Sequence, residues 1–186
     1  WLKVGAAITP GDVLLELSGS ARSILTAERT ALNLMGRMSG IATATGTAVA
    51  AVEGTGASIV CTRKTTPGLR MLEKYAVRCG GGANHRFGLD DAALVKDNHI
   101  AAAGGIAPAV KRLRAHVGHM MKIEVEVDTL DQLRELIPLE VDAVLLDNMS
   151  PEILAEAVAL VDGAMLTEAS GGITPETVRA VAAAGV

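Results

Sequence analysis

Five short apolar runs in this chain each end in residues that can do chemistry. The first ends in Thr62-Arg63-Lys64, the second in Lys96-Asp97-Asn98 and the third in Glu126. The fourth ends in Asp147-Asn148 and the fifth in Ser170-Gly171-Gly172. A further cation stands in Asn84-His85-Arg86, just after Gly80-Gly81-Gly82. Arg63, Lys64, Arg86 and Lys96 as a set expect a polyanion. Arg grips carboxylate and phosphate bidentately, and Lys supplies a point charge. Glu126 and Asp147 expect hydroxyls, Mg2+ or a developing positive charge. Ser170-Gly171-Gly172 precedes a helical pattern, where backbone N–H groups can wrap a phosphate. A small dicarboxylate or phosphate ester meeting a sugar phosphate satisfies both halves.

Each feature also has a plainer reading. Arg63-Lys64 fits a solvated loop closed by the turn Thr65-Thr66-Pro67-Gly68. Lys96-Asp97 fits a local ion pair of little worth. Glu124 and Glu126 alternate in a strand, which is read here as one facing inward and one outward. Asp147 also suits the cap of the next helix. Glycine runs are ordinary turn formers, and His85 fits a satisfied loop histidine. Arg29 sits in Glu28-Arg29-Thr30-Ala31-Leu32-Asn33-Leu34, between Arg22 and Arg37, where an intrahelical ion pair is the ordinary expectation. His116 and His119 have helical spacing but no third metal ligand in view. What sets the site residues apart is recurrence: packing does not require a charge at the same point of unit after unit.

The elements that must position them follow from periodicity. Residues 1 to 19 read as β-like, with the apolar run Asp12 to Leu17 after the turn Pro10-Gly11. Ala21 to Val52 reads as helical, broken at Ser39-Gly40 into two helices. Strands are then expected at Ser58–Thr62, Ala93–Lys96, Lys122–Val127, Ala143–Leu146 and Ala164–Ala169. Helices are expected at Leu69–Arg78, Ile106–Val117, Leu130–Ile137, Pro151–Leu160 and Pro175–Ala184, the last capped by Thr174. Five βα units in a row mean a parallel sheet covered by helices. The strands read as apolar without clean alternation, as if both faces were buried. An α/β fold of the open (β/α) barrel type fits best, with a doubly wound sheet as the alternative. In such barrels, functional groups project from the C-terminal strand ends.

Composition narrows the function classes. The chain has 186 residues, 49% hydrophobic and 20% charged, so disorder is excluded. A net charge of −4 and one residue each of Trp, Tyr and Phe argue against a nucleic-acid binder. No apolar run reaches the ~20 residues of a membrane span, and no signal peptide is visible. Cys61 and Cys79 read as buried, reduced thiols of a cytoplasmic protein. The chain starts at Trp1 rather than Met and stops abruptly after Val186, so it reads as a fragment.

Taken in order, these motifs resemble the quinolinate phosphoribosyltransferase family. The resemblance rests on Glu28–Leu34, Ser39–Thr43, Thr62-Arg63-Lys64-Thr65-Thr66-Pro67-Gly68-Leu69-Arg70, Gly80–Arg86 and Lys96-Asp97-Asn98-His99-Ile100. It continues through Glu124–Val127, Leu145–Met149 and Glu168–Ile173, and covers nearly the whole chain. It implies part of an N-terminal α/β sandwich domain with its connecting helix over residues 1–38. It implies a (β/α) barrel catalytic domain over 39–186 that lacks its last strand. It also implies a pentosyltransferase reaction: the phosphoribosyl group of phosphoribosyl pyrophosphate passes to quinolinate, with Mg2+ required. The products are nicotinate mononucleotide, pyrophosphate and carbon dioxide, a step of NAD synthesis.

Residue roles implied by the resemblance are as follows. Arg63, Arg86 and Lys96 clamp the two quinolinate carboxylates, with His85 beside them. Arg29 enters the neighbouring subunit's site, making a homodimer the minimum active unit. Thr62 and Lys64 lie near substrate and pyrophosphate. Glu126 and Asp147 serve the ribose hydroxyls and the metal, directly or through water, and with Lys96 they form the catalytic set. Ser170, Gly171 and Gly172 hold the 5′-phosphate. The alternatives are a homologue using another anionic acceptor, such as the molybdenum-transport-associated type, or a fragment that only binds phosphate ligands. Thr45-Gly46-Thr47 resembles the phosphate loop of doubly wound phosphoribosyltransferases, but its context is helical and free of acids.

Overall fold

The computed structural model describes residues 4–186. Trp1 and the start of the β-like stretch lie outside the described residues. The chain forms two compact units. One comprises the described residues up to Ala50 together with Ser58–His85, and the other comprises Ala51–Ala57 with Arg86–Val186.

In the first unit, residues 4–20 form no strand. Val13, Leu15 and Leu17 are 65%, 57% and 64% exposed, because no strand among the described residues pairs with this run. Helix α1 spans Ala21–Ala51 without interruption, so Ser39-Gly40 does not divide it. Four threonines of α1 return their hydroxyls to carbonyls four residues back: Thr26 to Arg22, Thr43 to Ser39, Thr45 to Ile41 and Thr47 to Thr43. An interior glycine costs only about 1 kcal/mol relative to Ala. Tertiary packing offsets that cost at the turn after helix α2, Arg70–Cys79. A Cβ on Gly80 would lie 2.3 Å from the Ala42 carbonyl oxygen, and one on Gly82 would lie 2.8 Å from Thr45 Cγ2. The glycine run Gly80-Gly81-Gly82 is therefore a close-packing surface for α1. Gly80 has an ordinary φ of −81°, so Gly80→Ala tests the steric contact alone. It is expected to destabilise the protein by about 1–3 kcal/mol in chemical denaturation. A loss below about 0.5 kcal/mol would place the α1 contact elsewhere.

The expected strand Ser58–Thr62 is reduced to a single parallel bridge, Val60 with Ala83. Cys61 N–H donates to Ala83 O at 3.1 Å and Ala83 N–H donates to Ile59 O at 2.8 Å. With one bridge as its whole pairing, the segment stays irregular while still fixing where residues 61–64 begin.

The second unit holds strands β1 Ala92–Val95, β2 Lys122–Val127, β3 Ala143–Asp147 and β4 Leu166–Ser170. All pair in parallel, in the order β1-β2-β3-β4. Each strand is added beside its predecessor in one direction, as in one wall of a (β/α) barrel. A doubly wound sheet would reverse order at a switch point, and this one does not. Among the described residues the sheet has four strands and does not close. The helices are α3 Asp97–Ala103, α4 Ile106–Arg114, α5 Leu130–Leu136, α6 Pro151–Val161 and α7 Val178–Ala183. Helix α3 was not expected. Helix α4 stops before His116, so neither His116 nor His119 lies on a helix, and His116 Nδ1 bonds the Arg112 carbonyl at 2.7 Å. Helix α7 starts three residues later than expected. Thr174 to Thr177 close their own turn, with Thr174 N–H on Thr177 Oγ1 at 2.9 Å, and Thr177 takes the N-cap position. Arg179 of α7 donates to the carbonyls of Ala51 and Glu53, tying residues 51–57 into this unit.

The register divides the sheet into two unlike faces. Val95, Val125 and Val144 lie level on one face, as do Val127 and Leu146. Val125, Val127, Val144 and Leu146 are fully buried, packed with Leu133 and Leu136 of α5 and Leu154 of α6. The other face carries Leu94, Glu124, Glu126, Leu145, Glu168, Asp147 and Ser170. Clean alternation is thus present in β2, contrary to the uniformly apolar reading. Glu124 and Glu126 share one face, because residues two apart in a strand point the same way.

Candidate active site

The candidate residues fall into two sets, one in each unit. In the first unit, Thr62-Arg63-Lys64 follows the Val60 bridge. Thr62 Oγ1 accepts from Lys64 N–H at 3.0 Å, folding the loop on itself. Arg70 braces it through Nε to Thr65 Oγ1 at 3.1 Å. The Arg63 side chain makes no hydrogen bond or ion pair among the described residues, although its Nε is buried. A desolvated guanidinium N–H without an acceptor is costly, and a carboxylate ligand would satisfy it. Lys64 is exposed and unpaired among the described residues, as is Arg29 on α1, so the expected intrahelical ion pair of Arg29 does not form among them. His85 closes this set in sequence.

Beneath the loop lie residues that sequence reasoning missed. Glu73 is 8% exposed and Lys74 is 2% exposed. Glu73 Oε1 accepts from Arg37 Nε at 2.9 Å and Nη2 at 2.6 Å, and Oε2 accepts from Thr66 N–H at 3.1 Å. The carboxylate therefore latches α1, the Thr65-Thr66 turn and α2. The Arg37 hydrogen bond, then the Thr66 hydroxyl, hold its carboxyl below the ordinary value of 4.5 against the opposing effect of burial. A lowered folded-state value means the latch stabilises fully above pH 4.5, and that this stability is lost as pH falls through the folded value. Glu73→Gln is expected to cost about 1–3 kcal/mol at neutral pH in urea unfolding. The gap to wild type should narrow as pH falls below 4.5 through the lowered folded-state value. A gap that does not change with pH would mean the carboxylate charge is not what holds the turn.

In the second unit, the polar face of the sheet ends in the remaining candidates. Lys96 stands one residue past β1, level with Glu126, and the two form an ion pair. Its partner is therefore Glu126 and not the adjacent Asp97, whose Oδ1 accepts from Asn98 N–H at 2.7 Å. The Glu126 side chain is 12% exposed and the Lys96 side chain 46%, so the carboxylate is largely desolvated while the ammonium meets solvent. Lys96 N–H also donates to His99 Nδ1 at 2.9 Å, fixing the start of α3. Asp147 is level with Ser170. Ser170 Oγ donates to Asp147 Oδ1, and Asn148 Nδ2 donates to Oδ2. Asn148 has φ 54° and donates its backbone N–H to Ser170 O at 2.9 Å. Gly171, at φ 88°, lies so close that a Cβ would sit 2.8 Å from Asn148 N. Only glycine fits there, and Gly172, at φ 63°, continues the same left-handed path. Arg86 donates through Nη1 to Ala92 O at 3.0 Å. Asp91 shapes the intervening loop by accepting from Phe87 and Gly88 N–H. The Phe87 bond, with help from Gly88, holds the Asp91 carboxyl below its ordinary range against a partial opposing desolvation.

Glu126 and Asp147 offer hard oxygens, but each already accepts from a protein donor. Such a donor set suits a Mg2+ that arrives with a phosphate ligand and keeps several waters, not an all-protein cage. The first unit presents Arg63 and Lys64, unpaired among the described residues; the second, taken by itself, presents carboxylates beside a glycine loop. Among the described residues no helix is long and apolar enough to cross a membrane.

Comparison with known proteins divides the chain near residue 40, which is not where the two compact units divide. Residues 41–186 match the family model of the quinolinate phosphoribosyl transferase C-terminal domain, and residues 1–39 match that of the N-terminal domain. A probable nicotinate-nucleotide pyrophosphorylase (carboxylating) from Bacillus subtilis is 50% identical over 184 residues, covering 99% of this chain and 64% of its own. The Mycobacterium leprae nicotinate-nucleotide pyrophosphorylase (carboxylating) is 47% identical over 98% of this chain and 65% of its own. A crystal structure of NadC from Streptococcus pyogenes superposes with a TM-score of 0.91 at 46% identity, covering 96% of this chain and 62% of that one. The chain thus spans a little less than two thirds of the length of these relatives. With both family models matched in sequence and the fold shared, the chain belongs to the quinolinate phosphoribosyl transferase family.

Proposed function

We propose that the protein transfers the phosphoribosyl group of phosphoribosyl pyrophosphate to quinolinate with decarboxylation, forming nicotinate mononucleotide, pyrophosphate and carbon dioxide in the cytoplasm. The observation that carries this reading is Arg63: a partly buried guanidinium whose Nε has no acceptor among the described residues. Stability does not call for such a group, whereas a carboxylate ligand does. Arg63, Arg86 and Lys96, with His85, take the two carboxylates of quinolinate. A dicarboxylate rather than a monocarboxylate matches this number of cations.

Glu126 and Asp147 stabilise the positive charge that develops on the ribose as its bond to pyrophosphate breaks. Ser170 hydrogen-bonds Asp147, and so aligns the carboxylate with the loop Ser170-Gly171-Gly172. The backbone N–H groups of that loop take the 5′-phosphate. Thr62 and Lys64 attract the pyrophosphate. Glu126 and Asp147 would hold Mg2+, directly or through water, and the ion would supply positive charge against the leaving pyrophosphate. After transfer, the cations stabilise the electron pair left on the ring carbon as carbon dioxide departs.

The active unit of this reading is a homodimer in which Arg29 reaches the neighbouring site. Support comes from α1, none of whose 31 residues is buried, and where Leu25 and Leu32 are 68% and 46% exposed. Such a helix needs a cover, and a second copy supplies one. The test is calorimetry with quinolinate and nicotinate, followed by turnover with phosphoribosyl pyrophosphate and Mg2+. Quinolinate is expected to bind at least about tenfold tighter than nicotinate. Equal affinities in a folded dimer would remove the dicarboxylate reading.

A further inference from the structure

We propose that Lys74 is the positioning residue of the carboxylate clamp, a role that rests on the function proposed above. Its side chain lies at the centre of the first unit and is 2% exposed. Its ammonium donates to Cys61 Sγ at 2.8 Å and to the His85 backbone carbonyl at 2.9 Å. Cys61 Sγ in turn reaches Asn84 Oδ1 at 3.4 Å. One ammonium therefore ties the residue that precedes Thr62-Arg63-Lys64 to the residue that precedes Arg86. The single bridge between Val60 and Ala83 is the only ladder pairing of these two segments, so their ends depend on the tie.

Energetics point the same way. No carboxylate pairs with Lys74 among the described residues. Burying an ammonium without a counter-ion is expensive, and an apolar side chain of similar length would pack there at lower cost. Folding stability does not account for the residue. Function does, in two ways. The charge-assisted bond to the His85 carbonyl sets where His85 and its neighbour begin. The desolvated charge also raises the positive potential felt by a dianion at Arg63, since screening is weak in the interior. Lys74 acts through these groups and does not touch the substrate.

The test uses Lys74→Met in the full chain. Quinolinate affinity is expected to fall about thirtyfold. The melting temperature should stay equal or rise, and amide hydrogen exchange over residues 83–87 should quicken. A purely structural lysine would instead lower the melting temperature and leave quinolinate affinity alone. Quinolinate binding within about twofold of wild type, or unchanged exchange in 83–87, overturns the proposal. Should Lys74→Met not fold, Cys61→Ala and Cys61→Ser decide. Serine can accept from Lys74 and donate to Asn84, so it should retain binding that alanine weakens about fivefold. Equal affinities in the two Cys61 variants count against the tie. A wild-type protein that fails to bind quinolinate sinks the assigned reaction instead, and the exchange measurement then judges the positioning role by itself.

Discussion

Arg63→Ala is expected to weaken quinolinate binding by about 10²–10³-fold, in line with removal of one partner of a desolvated, hydrogen-bonded charge pair. The reason lies in what Arg63 lacks. Its Nε is buried without an acceptor, so the free protein already bears a desolvation cost that a bound carboxylate relieves. Removing the side chain lifts that cost, and the variant should be no less stable than wild type. Arg63→Lys keeps the charge but loses the planar fork, so it should recover only part of the affinity. The check is calorimetry with quinolinate, alongside thermal unfolding of the same samples. A loss below about threefold in folded protein would show that Arg63 does not hold a quinolinate carboxylate.

Glu126→Gln is expected to lower kcat by about 10²–10³-fold, the scale of a lost electrostatic contact in a transition state. Glu126 is 12% exposed and bound to Lys96, so its charge acts in a weakly screened setting. The amide has the same shape but no charge to offer the ribose as it becomes cationic. Lys96 meanwhile loses its counter-ion and becomes a stronger anion partner. Binding of quinolinate alone should therefore stay equal or tighten while turnover collapses. That split between binding and kcat separates an electrostatic role from damage to the site. Turnover within about threefold of wild type at saturating phosphoribosyl pyrophosphate would remove Glu126 from the catalytic set.

The sheet of the second unit was legible because its strands carry their own punctuation. Lys122–Val127 ends just before the Thr129-Gln132 capping box of α5. Ser150-Pro151 likewise marks the start of α6. Glu126, Asp147 and Ser170 could be picked out because strand ends recur at regular spacing. Other features depend on partners that periodicity does not show. Ser58–Thr62 has strand composition but only one bridging residue to pair with. Gly40 looks like a helix breaker, yet α1 runs through it unbroken, with Gly80 packed against Ala42 and Thr45 just beyond.

Helix α2 shows the deepest failure of pattern reading. Its apolar residues Met71, Leu72 and Tyr75 are 72%, 39% and 54% exposed, while Glu73 and Lys74 are buried. Amphipathicity assigns the inner face to the wrong side. The only hint in sequence is that Glu73 and Lys74 both lie a helical turn or less from the small residue Ala76, which is also buried. Burial of these charges follows from what they bind: Arg37, the Thr66 backbone, Cys61 and the His85 carbonyl.

The strand order β1-β2-β3-β4 has a consequence for how the second unit comes into being. Each strand pairs with the next one along the chain, so its partners lie roughly 20 to 30 residues apart. Loop closure over such short separations is cheap compared with joining distant ends. No strand has to wait for a partner made much later. On a ribosome, β2 can settle on β1 as soon as it emerges, and β3 and β4 can add in turn. Parallel sheets are ordinarily slow to assemble and prone to aggregate on the way, and this connectivity limits both hazards by keeping every pairing local.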